Sequence, residues 1–67
     1  MEYAPHQQRV VDEKTELDGK LRKLSAFLST PIFTSLEQGE RTRLTSQERV
    51  MGEYSFILGE RIAAFTA

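Results

Sequence analysis

The chain has no cysteine, one histidine, and no apolar run approaching the roughly 20 residues that span a bilayer. Without cysteine there is no disulfide to brace a small fold. His6 has no second histidine for a metal site, no HExxH pattern and no nucleophile pattern beside it, so neither metal nor cofactor is expected. A phosphate-binding glycine loop is also lacking. The tripeptide Gly-Glu-Arg occurs at Gly39 and at Gly59 without the strand that such a loop requires. Nine Lys+Arg against ten Asp+Glu give a formal net charge of -1, which lacks the basic footprint of a duplex-DNA binder. Met1 to Val10 is too polar for a signal peptide. These absences leave a soluble, non-enzymatic, cytoplasmic protein as the expectation, with no membrane contact.

What is present is helical periodicity. Val10, Leu17 and Leu24 recur every seven residues, and Leu21 and Leu28 follow four behind, which predicts an amphipathic helix over about 5–28. Pro5 suits the first turn, where its missing N–H would be unpaired anyway. Glu16 with Lys20 and Lys14 with Asp18 stand at i,i+4 spacing as surface ion pairs. Ser29-Thr30-Pro31 stops the helix. A turn is expected over 29–39, with Thr34 and Glu37 forming a capping-box pattern that opens either a short turn or the next helix. From about 40 to 65, Leu44, Met51, Tyr54, Leu58 and Phe65 again fit a seam, flanked by Val50, Ile57 and Ala64. The reading is a single all-α domain over 1–67, an antiparallel two-helix hairpin. A chain of 67 residues buries only about 60% of its unfolded surface. Oligomerisation is the remaining supplement, so a homo-oligomeric helical bundle is expected.

The second helix has another apolar stripe. At 100° per residue, Gly52, Phe56, Gly59 and Ala63 line up on the face opposite the expected seam. Two glycines inside a helix cost up to about 1 kcal/mol each relative to alanine. Either another backbone approaches there, in a self-assembly or on a host protein, or they are tolerated surface glycines beside one exposed phenylalanine.

Charge on the seam is the second unusual feature. Lys14 follows Val10 at a seam position, and Arg61 is read at one between Leu58 and Phe65, both toward the open end of the hairpin with Arg9, His6 and Tyr3. Tyr54 lies deeper. Unpaired buried cations are costly, so counter-charges are required. Glu13 or Glu60 supplying them would make the cluster structural. A ligand phosphate supplying them would make it a binding site, with arginine as a bidentate anion ligand and the tyrosines as stacking surfaces.

The residues HQQRVVDEKTELDGKLRKLSAFL, then Phe33 and Leu36, then Glu40-Arg41 with Arg43-Leu44, and Met51 with YSFILGERIAAF, resemble a group of small phage and prophage proteins related to a crAss-like phage open reading frame. That resemblance covers nearly the whole chain and implies phage origin and a helical hairpin. More loosely, the architecture is similar to the helical-hairpin sponge proteins with which phages sequester cyclic nucleotides of the CBASS and Thoeris defences. It implies an oligomeric protein of the infected bacterial cytoplasm that binds a cyclic nucleotide or ADP-ribose-type signal. A protein-binding adaptor or inhibitor acting through the Phe56 stripe is the alternative.

Overall fold

The structure, a computed structural model, describes residues 2–65. Those residues form helix α1, Pro5–Leu28, a short helix α2, Pro31–Ser35, and helix α3, Gln38–Ala64, with no strand among them. Helices α1 and α3 pack along their length. Asp18 meets Ser55 while Ser25 meets Glu48, so the two helices run antiparallel. The molecule is a rod of 46 × 14 × 14 Å, one helix pair thick. No helix among the described residues is long and apolar enough to cross a membrane.

Local chemistry sets the helix ends. Ahead of α1 the backbone N–H of Ala4 donates to Gln7 Oε1 at 2.9 Å, and Pro5 fills the first helical position. Thr30 serves both sides of the turn: its hydroxyl donates to Phe27 O at 2.7 Å, and its oxygen accepts the Phe33 N–H at 3.4 Å, capping α2. The rings of Phe27 and Phe33 meet edge-on at 6.3 Å and hold α2 across the end of α1. The expected Thr34–Glu37 capping box does not form. Thr34 lies inside α2, where its hydroxyl returns to Pro31 O at 2.8 Å, and Glu37 stands ahead of α3 without a side-chain cap bond. The long second helix opens at Gln38, two residues ahead of the expected Glu40, and carries Gly39 within its first turn instead of breaking there.

The seam itself is in a different phase from the sequence reading. On α1 the residues turned toward α3 are Gln7, Val10, Lys14, Leu17, Leu21, Leu24 and Leu28, alternating steps of three and four. On α3 they are Leu44, Glu48, Met51, Ser55, Leu58, Ile62 and Phe65, also in steps of four and three. Leu44, Met51, Leu58 and Phe65 keep the expected places. The intervening series falls at Ser55 and Ile62, one residue beyond Tyr54 and Arg61. Tyr54 is 40% exposed and Arg61 is exposed, so both stand beside the seam. Val50 and Ile57, expected to widen the core, are each 51% exposed. Leu58 is the one fully buried large side chain among the described residues, with Val10 and Ser55 nearly so. Burying one leucine is worth about 1.5–3 kcal/mol, so this hairpin has a thin core.

Candidate functional site

The phase of the seam separates the two cations that the sequence placed together. Lys14 lies on the seam, and its ammonium donates to Asp18 Oδ2 at 2.8 Å and to Ser55 Oγ at 2.9 Å. The Ser55 hydroxyl in turn donates to Asp18 Oδ1, closing a three-membered ring of polar contacts across the helix interface. The hydrogen bonds from Lys14 and then Ser55 hold the Asp18 carboxyl below its usual range, against the smaller opposing effect of desolvation. A charged Lys14 neutralised by a charged Asp18 is a structural staple. The Ser55 hydroxyl is thereby held between the Lys14 ammonium and the Asp18 carboxylate.

Arg61 has a different setting. Among the described residues the ion pairs join Lys14 to Asp18, Arg43 to Glu37 and Glu40, and Arg49 to Glu53; neither Arg61 nor Arg9 takes part in one. The carboxylates expected beside Arg61 are occupied or face elsewhere. Glu13 accepts the hydrogen bond of the Tyr54 hydroxyl, and Glu60 lies on the opposite flank of α3. That bond to Glu13, followed by desolvation, raises the Tyr54 hydroxyl above its ordinary range, with Arg61 opposing; at neutral pH it is a fixed donor. Tyr54 meets Glu13 across the two helices, and Arg61, two turns beyond Tyr54 on α3, lies toward the same end of the hairpin as His6 and Arg9. His6, Arg9 and Glu13 share one stripe of α1 by their steps of three and four. Tyr54, Ile57 and Arg61 form the facing stripe of α3. The face therefore presents exposed Arg9, His6 and Arg61 around the half-exposed Tyr54 and Ile57. Tyr3, expected as a stacking surface, is packed edge-on against Phe65 at 6.1 Å and closes the end of the hairpin.

On the other flank of α3, Lys14, Ser55, Phe56, Gly59, Glu60 and Ala63 line an open groove of about 370 Å³. Phe56 is 68% exposed. A methyl group on Gly52 would meet nothing within 4 Å, and one on Gly59 would stand 3.4 Å from Lys14 Cε. Lys14 thus belongs to this flank and Arg61 to the other. Ser55 carries no sequence signal beyond its step of seven from Glu48; the packing of α1, which brings Lys14 and Asp18 to it, is what marks it. No group of three or more metal-ligating side chains occurs among the described residues.

The chain belongs to the Sequestin family, whose model matches residues 4–64. That name is consistent with sequestering a molecule and with a binding, non-catalytic role. No curated protein and no solved structure matches the chain.

Proposed function

We propose that this Sequestin-family hairpin is a phage-encoded, non-enzymatic protein that sequesters a small anionic nucleotide, of the cyclic-nucleotide or ADP-ribose-type signals that alert a bacterial host to infection. The observation that carries the reading is Arg61, which forms no ion pair among the described residues. It shares one face with Arg9 and His6, beside the half-exposed Tyr54 and Ile57, while Lys14 is neutralised within the fold. Arginine offers a planar fork of donors suited to phosphate oxygens, and an exposed tyrosine ring held by its own hydroxyl offers a flat surface to a base. Binding without transformation is consistent with the name of the family the chain belongs to. Glu13 keeps the face from being uniformly positive. An anion that also brings apolar ring surface is thereby favoured over bare phosphate.

Calorimetric titration with a panel of cyclic di- and trinucleotides and ADP-ribose derivatives tests the proposal. Binding is expected for at least one member, with Arg61→Ala weakening it about ten- to hundredfold, the worth of a hydrogen bond to a charged group. Lys14→Met destabilises the hairpin but leaves the affinity of the folded fraction unchanged. No heat of binding with any member at high micromolar concentration sinks the proposal.

A further inference from the structure

The groove on the Phe56 flank lies away from the nucleotide face, and its own features identify what fills it. We propose that it is occupied by α3 of a second copy of this chain, packed antiparallel about a two-fold axis that passes between Ile57 and Leu58. A two-fold interface must be self-complementary, each contact occurring twice. The stripe meets that condition in one register. With the axis there, Phe56 of one copy lies over Gly59 of the other, and Gly52 lies against Ala63. A protruding ring, 68% exposed, faces a position with no side chain, and the groove around Gly59 has about 370 Å³ to receive it. The glycines acquire a reason that one hairpin does not provide. Gly52 has open space where a methyl would stand.

Charge fits the same register. Glu60, which forms no ion pair among the described residues, is carried opposite Ser55 of the second copy. The Lys14 ammonium lies 2.9 Å from Ser55 Oγ and spends two of its three donors on Ser55 and Asp18. Its third is available to the incoming Glu60 carboxylate, which makes two symmetric ion pairs per dimer. The exposed area agrees. The hairpin presents 5002 Å² to solvent, against roughly 4,300 Å² for a compact monomer of this mass. The excess is comparable with the roughly 800 Å² that each partner buries in a standard interface. Both nucleotide faces remain on the outside of such a pair.

Sedimentation velocity of the full chain from micromolar to millimolar concentration, with three variants, decides the matter. The wild type is expected to sediment as a dimer at the upper end. Gly59→Leu fills the recess and is expected to weaken association at least tenfold, although it adds apolar surface; equal or stronger association by this variant overturns the proposal. Glu60→Lys is expected to weaken association in low salt, and circular dichroism separates that effect from unfolding. Gly52→Cys combined with Ala63→Cys, in a chain that has no other cysteine, is expected to oxidise to a covalent dimer whose peptide map joins 52 to 63 between copies. A wild type that is monomeric throughout overturns the proposal, as does linkage of 52 to 52. A groove that instead captures a host protein, lost on Phe56→Glu while the free chain stays monomeric, overturns it as well.

Discussion

Lys14 and Arg61 carry the same charge on neighbouring helices, and a shift of one residue in the heptad phase gives them opposite roles. Lys14 reaches Asp18 and Ser55 from within the interface, whereas Arg61 stands at its edge with no carboxylate partner among the described residues. The sequence supplied the Lys14–Asp18 spacing, but as a surface pair; Glu16 and Lys20, at the same spacing, are not among the ion pairs of the described residues. What raises one pair above the other is Ser55, a residue 41 positions from Lys14. The consequence for pH follows from the depressed Asp18 carboxyl. Its folded-state value lies below its unfolded one, so its contribution to stability is fully present above the ordinary carboxylate range and is lost as pH falls through the depressed folded value. Both side chains are about a third exposed, at 30% and 34%, so solvent screens the effect. Thermal melts at falling pH are expected to show a loss of stability in the acid range that is shallower in Asp18→Asn, whose neutral-pH stability is already lower. An identical acid slope in the variant would place the titrating group elsewhere.

At the level of the helices, two serine–carboxylate pairs hold one register. Asp18 of α1 meets Ser55 of α3, and seven residues along, Glu48 of α3 meets Ser25 of α1, whose hydroxyl donates to Glu48 Oε2 at 2.6 Å. The acid precedes the serine by seven in each helix. Sliding α3 by one heptad would set Asp18 against Glu48 in one direction, and Ser25 against Ser55 in the other, leaving Asp18 to face Ile62. Leucine alone does not make that distinction, since every seven-residue slip restores the apolar seam. Ser25→Ala and Ser55→Ala are each expected to cost about 1 kcal/mol. Two turns of helix separate the pairs, so the double variant should cost the sum to within about 0.5 kcal/mol in urea unfolding. A double variant no worse than either single one would mean that the pairs act as one network. Leu44, Met51, Leu58 and Phe65 were legible as seam residues because four apolar residues at strict heptad spacing admit one face. The intervening series was not, because Tyr54 is apolar enough to compete with the polar Ser55 until Asp18 and Lys14 are known to face it. Gly52 offers a test of the same helix. With no neighbour within 4 Å of an added methyl, Gly52→Ala should stabilise the dilute protein by about 1 kcal/mol, read from the same urea curves.

Across the whole molecule, the hairpin itself was written in the periodicity and in Pro5, Thr30 and Pro31, whereas the distribution of function around α3 was not. Three stripes run along that helix. The central one meets α1, and the flanking ones, through Tyr54, Ile57 and Arg61 and through Gly52, Phe56 and Gly59, lie about 100° to either side. Sequence shows that α3 has apolar or small residues on more than one side; only the orientation of α1 shows which stripes are left over. A rod with one fully buried large side chain among its described residues has little stability to spare, and closing a second face against another copy would couple folding to association. Mass action then makes the midpoint of unfolding depend on protein concentration, since dilution favours the separated chains. The wild-type Tm is expected to climb steadily as concentration rises from micromolar to millimolar, while that of Gly59→Leu stays flat. The two curves should converge at the dilute end, where both report the isolated hairpin, unless the leucine itself alters helix propensity. That contribution, like any pressure of the leucine on Lys14 Cε, which stands 3.4 Å from a methyl at this position, is independent of concentration, so it displaces the variant's curve without giving it a slope. The slope alone therefore reports association. A wild-type Tm constant over the whole range would leave the hairpin standing on its thin core as a monomer.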